Sequence, residues 1–160
     1  MKQRVLITAG ASGIGLAMAK AFADQGATVW VTDVDPAALA SLPDNITGSR
    51  VDASNETDVA ALFDDIRNDL GGLDVLCANA GIAGPTAAIE DVKLEDWRQC
   101  VSVNLEGAFL AAKYAAPLMK AQNSGAIVFT SSTAGLYGYP NRAPYAAAKW
   151  AVIGLFSSVL

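Results

Sequence analysis

Tyr145 and Lys149 lie four residues apart in an alanine-rich segment, with Ser131 and Ser132 upstream. On a helix, side chains at i and i+4 stack on one face, so this spacing sets a phenol beside an ammonium. Nearby positive charge favours ionisation of a phenol, which gives the pair the makings of a proton-transfer device. Ser132 stands thirteen residues before Tyr145, far enough for the intervening loop to fold a strand end back against the following helix. A serine hydroxyl there can donate to a carbonyl oxygen while Tyr145 gives or takes the proton. Spacing alone does not separate Ser132 from Ser131.

Asn104 interrupts an apolar stripe inside Val103-Asn104-Leu105, where a buried amide must find hydrogen-bond partners. It either anchors a water link toward Lys149, a proton route to solvent, or satisfies an irregularity in its own helix.

These groups need a frame. Val5–Thr8, Ala27–Thr32, Ile46–Val51, Leu73–Cys77 and Ala126–Thr130 read as short apolar strands. Between them, Ile14, Met18 and Phe22 mark a first helix face ending near Gly26. Pro36–Leu42 suits a short helix, and Val59, Leu62, Phe63, Ile66 and Leu70 mark another, stopped by Gly71-Gly72. Leu94 to Met119 predicts one long helix carrying Trp97, Val101, Leu105 and Phe109 near one face, with Pro117 bending or ending it. Ala143–Leu160 is expected to be helical. Strict alternation of strands and helices implies an α/β fold, a doubly wound, mostly parallel, Rossmann-like sheet in a three-layer α/β/α sandwich. Such a sheet binds its ligand at the carboxyl ends of the strands, where strand order reverses.

The loops that follow these strands carry a second chemistry. Thr8-Ala9-Gly10-Ala11-Ser12-Gly13-Ile14-Gly15 leads from strand one into helix one. Its glycines permit a tight turn and close approach to a pyrophosphate, and the helix start offers free N–H groups. The cofactor-binding set expected there is Gly10, Ser12, Gly13, Ile14 and Gly15. Asp33, eighteen residues beyond Gly15, is placed to accept from ribose hydroxyls and to repel a 2′-phosphate, which favours NAD over NADP. Asp35 is its rival, and a solvated loop aspartate is the bland alternative. Asp52 can accept from an adenine amino group or serve as an ordinary turn residue before Ala53-Ser54. Asn79-Ala80-Gly81 after strand four lets a loop pass beside the cofactor, with Asn79 bracing its neighbours. Tyr145 and Lys149 complete the cofactor contacts, Lys149 through the nicotinamide ribose.

Composition narrows the field. The 160 residues are 52% hydrophobic and carry a formal net charge of −5 with no histidine. That balance argues against nucleic acid or an anionic membrane as partner, and the lack of histidine removes a His-based nucleophilic triad. Cys77 and Cys100 have no metal or disulfide spacing, and no metal is expected. With no membrane-length apolar run, a soluble cytoplasmic protein is expected.

The glycine loop at residues 8–15, Asn79-Ala80-Gly81, Asn104, Ser132 and the Tyr145-x-x-x-Lys149 pair, in this order, resemble the short-chain dehydrogenase/reductase family. The resemblance runs through nearly the whole chain and selects Ser132 over Ser131. It implies NAD-dependent hydride transfer between a secondary alcohol or ketone and the nicotinamide, with Asn104, Ser132, Tyr145 and Lys149 as catalytic residues. It also implies a homo-oligomer, tetramer or dimer, that takes a small-molecule substrate. A related NAD-using epimerase or dehydratase, and a non-catalytic NAD sensor, are the alternatives. The family has glycine where this chain has Ala9. Cofactor binding is expected to survive this, an expectation that a positive φ at Ala9 would weaken.

The chain is expected to be a single dinucleotide-binding and catalytic domain, residues 1–160, cut short within the helix that carries Tyr145 and Lys149. Leu155, Phe156, Val159 and Leu160 read as unmatched apolar residues, and the fragment by itself is expected to be inactive.

Overall fold

A computed structural model describes residues 2–158. Five strands, β1 (Arg4–Ile7), β2 (Thr28–Asp33), β3 (Ile46–Arg50), β4 (Val75–Ala78) and β5 (Ala126–Phe129), form one sheet in the order β3-β2-β1-β4-β5, with every pairing parallel. Strand order reverses between β1 and β4. The doubly wound α/β expectation is met.

Period-two alternation divides the core between the two faces of the sheet. Val5, Ile7, Val29, Val31, Val75 and Cys77 pack with helices α1 (Gly13–Asp24) and α2 (Pro36–Ala40). Leu6, Trp30, Leu76 and Ala78 point the other way, against α3 (Glu56–Leu70), α5 (Gly107–Gln122) and α6 (Ala143–Ser158). Each fully buried Leu or Ile in these layers contributes roughly 1.5–3 kcal/mol. At the amino ends of β1 and β4, Arg4 pairs with Asp74 at 2.7 Å and also donates to Gln122. The Arg4 guanidinium, through its hydrogen bonds, holds the Asp74 carboxyl below the usual carboxylate range.

The expected single helix over Leu94–Met119 is instead three pieces: α4 (Leu94–Val101), a π-helical turn (Ser102–Glu106) and α5. A π turn holds one residue more than an α turn. It shifts the phase of everything after it, so Ala108, Leu110, Ala111 and Ala115 face the core, while Phe109, expected on the buried stripe, is 47% exposed. Pro117 does not end the segment. α5 runs through it to Gln122 and stops at Asn123, which adopts φ 51. The buried Ala115 and Met119 on either side anchor the helix across the hydrogen bond that proline cannot make.

Two further expectations are corrected. Ile14 does not join the buried face of α1 but is 70% exposed, because the first turn of α1 stands above the strand ends. Leu155 packs against the core below α6, whereas Phe156 is 48% exposed. Val159 and Leu160, the last two residues of the helix expected to reach Leu160, lie outside the described residues. Among the described residues, no helix is long and apolar enough to cross a membrane.

Candidate active site

Three loops meet at the carboxyl ends of β1, β4 and β5. Thr8, directly after β1, accepts the backbone N–H groups of both Asn79 and Ala80 on its hydroxyl, each at 2.9 Å. The Asn79 amide donates in return to the Thr8 and Ala9 carbonyls at 3.1 and 3.3 Å, and its oxygen accepts from the Thr130 hydroxyl at 3.2 Å. Asn79 thus braces both neighbouring loops. The sequence pattern does not single out Thr8, whose one signal is a hydroxyl ending an otherwise apolar strand.

The glycine loop is shaped by close approach. A Cβ on Gly15 would meet the Ala9 carbonyl and the Gly10 backbone, and Gly13 adopts φ 50. Ser12, the N-cap of α1, makes no side-chain cap, and the first turn carries no acidic residue. The first N–H groups of α1 therefore remain available to an anion. Gly10 has a different job. Its Cα packs against Val31, its N–H donates to the Thr32 carbonyl at 2.8 Å, and it lines neither cavity described below. Ala9 adopts φ 49, the left-handed conformation in which a Cβ is strained. The positive φ that counts against this loop is therefore present at Ala9, while the N–H groups at the start of α1 stay open to an anion.

Asp33, the last residue of β2, accepts from the Ala11 N–H at 3.3 Å and the Asp35 N–H at 3.2 Å. Asp35 is the N-cap of α2 and accepts from the Ala37 N–H, so of the two rivals it is Asp33 that lines the groove. Asp52 accepts from the Ser54 N–H and hydroxyl, the turn role weighed from sequence, and still borders the groove.

The π turn explains Asn104. Its side-chain amide donates to the carbonyls of Cys100 at 2.8 Å and Ile82 at 2.9 Å, so it satisfies the irregularity and pins the loop after β4. Its Oδ1 is buried without a partner. A Cβ on Gly81 would lie 2.6 Å from that oxygen and 3.4 Å from Lys149 Nζ, so both groups converge on the space that Gly81 leaves open. Irregular helix and aimed amide are two aspects of one arrangement.

Lys149 is 3% exposed, and its Nζ donates to the Thr130 carbonyl at 2.9 Å while lying 5.7 Å from the centre of the Tyr145 ring. Burial pushes its ammonium below the ordinary lysine range, opposed in part by the charge of Cys100. Ser131 donates to the Lys149 carbonyl at 2.9 Å, which commits its hydroxyl to structure. Ser132 caps a short 3₁₀ turn by accepting from the Ala134 N–H at 3.2 Å and keeps its own proton to donate. Burial raises the thiols of Cys77 and Cys100. For Cys100, the Asn104 hydrogen bond and the charges of Arg142 and Lys149 pull the other way.

Ser12, Gly13, Ile14, Gly15, Asn79, Gly81, Asn104, Ser132, Tyr145 and Lys149 all line one cavity of about 540 Å³. Asp33, Asp52 and Ala80 line a second of about 390 Å³, which shares Ala9, Ser12, Gly81 and Ile82 with the first. The two make a continuous groove with the α1 N-terminus between a carboxylate at one end and the Ser132, Tyr145 and Lys149 cluster at the other. Among the described residues there is no cluster suited to a metal ion.

Known proteins resemble this chain in sequence and fold. The sequence model described as short chain dehydrogenase matches residues 3–160. A cis-4-hydroxycyclohexanecarboxylate dehydrogenase of Sinomonas cyclohexanicum is 40% identical over 159 residues, covering 96% of this chain and 64% of its own. A 3beta-hydroxysteroid dehydrogenase of Mediterraneibacter gnavus is 38% identical over 162 residues, covering 97% of this chain and 58% of its own. The crystal structure of an NAD+-bound xylitol dehydrogenase superposes with a TM-score of 0.94 at 31% identity, covering 98% of this chain and 63% of that one. The chain thus spans less than two thirds of the length of each of these proteins.

Proposed function

This chain belongs to the short-chain dehydrogenase family, and from that premise we propose that it serves an NAD-dependent oxidoreductase acting on a secondary alcohol or its ketone. The observation that carries the reading is the convergence of Ser132, Tyr145, Lys149 and the open N-terminus of α1 on one groove. The three relatives, by their names, act on a hydroxycyclohexane acid, a hydroxysteroid and a sugar alcohol, all of them alcohols.

The residues present fit a dinucleotide. The first turn of α1 has free N–H groups without an acidic neighbour, the glycine loop leaves room for a phosphate to approach, and Asp33 stands where a ribose hydroxyl would need an acceptor. Ser12, Gly13, Ile14 and Gly15 would hold the pyrophosphate, Asp33 the adenosine ribose, Asp52 the adenine side, and Asn79, Ala80 and Gly81 the wall beside it. Gly10 supports the loop from behind. When bound, the nicotinamide supplies the hydride acceptor or donor.

Around it the chain's own residues move one proton. In oxidation Tyr145 Oη takes the alcohol proton, and in reduction it returns one to the nascent alkoxide. Ser132 Oγ donates to the substrate oxygen and orients it. Lys149 supplies a buried positive charge beside Tyr145 and a donor for the nicotinamide ribose. Asn104, with its orphaned Oδ1 beside Lys149, holds the water through which the proton reaches solvent.

The same reading makes residues 1–160 one dinucleotide-binding and catalytic domain that works within a homo-oligomer, dimer or tetramer, in the cytoplasm. Exposed Phe109 and Trp150 on helix faces support association, two unpaired buried thiols fit a reducing compartment, and a net charge of −5 disfavours nucleic acid.

The test is stoichiometric. The whole protein, rather than residues 1–160 alone, is incubated with NAD and a panel of secondary alcohols while absorbance and product are followed together. Equal yields of NADH and ketone are expected. Product without net change in NAD would point to an epimerase or dehydratase, and NAD binding without product from any alcohol would point to a sensor.

A further inference from the structure

The cavity that Tyr145 faces, the 540 Å³ half of the groove, is lined by two cations, Lys149 and Arg142, and by no carboxylate, in a chain whose net charge is −5. Lys149 has its use in the reading above. Arg142 does not.

Its guanidinium is nevertheless held firmly. It donates to the Ala83 carbonyl at 2.7 Å and to the Thr86 hydroxyl at 3.3 Å, and it lies over two rings, 5.7 Å from the centre of Tyr139 and 5.4 Å from that of Tyr145. All of these partners are neutral. Among the described residues no carboxylate comes within ion-pair distance of it. Guanidinium offers five N–H donors. Two are spent on neutral oxygens and Nε is buried without a partner, which leaves two terminal N–H bonds uncommitted. None of its contacts belongs to the glycine loop or to Asp33, so the charge sits on the Tyr145 side of the groove, clear of the dinucleotide half.

We propose that Arg142 is a specificity-determining residue that recognises a carboxylate, and that the substrate is a secondary alcohol or ketone bearing one. A planar fork, fixed in place by two hydrogen bonds and two ring faces before substrate arrives, meets a carboxylate with little ordering cost. The cavity opposes this with no negative charge of its own. The proposal rests on the hydride-transfer reading for the identity of the reacting carbon, but not for the ion pair.

The experiment uses matched probes. The sodium salts of 3-hydroxybutanoate, 4-hydroxypentanoate and 5-hydroxyhexanoate are each compared with the corresponding methyl ester for kcat/KM with NAD, in the unaltered whole protein and in its Arg142→Gln and Arg142→Lys variants. For the acid of best-fitting length, preference over its ester is expected to be about 10-fold or more. Arg142→Gln should bring that ratio close to one, and Arg142→Lys should keep part of it. A ratio near one in the unaltered protein overturns the proposal. So does a ratio that survives Arg142→Gln while both rates fall together, since that is the signature of a latch between loops and nothing more. Calorimetric binding of the same acids to the protein with NADH separates the two readings. If no probe turns over, the hydride-transfer reading fails for these alcohols, yet acid binding weakened about 10-fold by Arg142→Gln still supports the ion pair. Equal binding, or none in either protein, sinks it.

Discussion

Lys149 Nζ donates to the main-chain carbonyl of Thr130 at 2.9 Å, tying the first turns of α6 to the end of β5. The contact turns a flexible four-carbon side chain into a fixed charge beside Tyr145, and it spends only one of the three ammonium donors. Its partner is a backbone atom, so no side-chain pattern in the sequence could announce it.

Replacing Tyr145 by Phe removes the group proposed to carry the proton while keeping the ring. Turnover should fall by roughly 10²–10⁴-fold, the usual range for losing a general acid–base group. Affinity for NAD, measured by fluorescence titration, should change little. Turnover equal to that of the unaltered protein would take Tyr145 out of its role.

Burial lowers the proton affinity of Lys149 in the folded protein below its unfolded value. Between the folded and unfolded pKa values the unfolded chain binds more protons, so stability rises with pH there. Below the folded value the penalty of the buried charge is fully present, and it is relieved as pH climbs through that value toward the ordinary lysine range. Thermal unfolding from neutral to alkaline pH checks this against Lys149→Met. The variant's stability relative to the unaltered protein should decline as pH rises, and a constant difference would contradict the account.

Ala9 adopts φ 49 at the turn that leads into α1. Left-handed backbone costs a residue with a Cβ roughly 1–2 kcal/mol, a strain glycine does not feel. Ala9→Gly should raise the melting temperature by about 2–4 °C per kcal/mol relieved in a domain of this size. It should also leave the NAD dissociation constant equal or lower. A lower melting temperature would mean that the entropy glycine adds to the unfolded chain outweighs the strain.

Asp33 faces the groove while accepting from Ala11 and Asp35. Asp33→Asn keeps the shape and removes the charge. The ratio of kcat/KM for NAD over NADP should drop about 10-fold or more, a change of roughly 1.4 kcal/mol in discrimination. An unaltered ratio would show that the carboxylate plays no part in choosing the cofactor.

Much of this architecture was written in short-range pattern. The five strands were legible because a sheet covered on both faces needs apolar runs, and β1, β2 and β4 have them. Tyr145 and Lys149 were legible because helical spacing is a local quantity. The misplaced elements fail for one kind of reason. A π turn at Asn104 inserts an extra residue into the helical count, so a period carried across it from Trp97 puts Phe109 on the wrong face. Pro117 was read by its own propensity, whereas Ala115 and Met119 anchor α5 in the core across it. Ile14 kept the period of its helix but sits above the sheet rather than on it. The positive φ of Ala9 and the choice between Ser131 and Ser132 depend on contacts made across the fold, where spacing is silent.

The π turn has one more effect, on what lengths the chain will tolerate. Deleting a single residue between Cys100 and Gly107 would restore an unbroken α-helix, a local improvement in hydrogen bonding. It would also rotate α4 against α5 by about 100°. α4 packs beside α6 and α5 packs on β4 and α3, so both cannot stay seated after such a turn. The irregular stretch is therefore a rotational spacer whose length is fixed from both ends, closed to insertion and deletion.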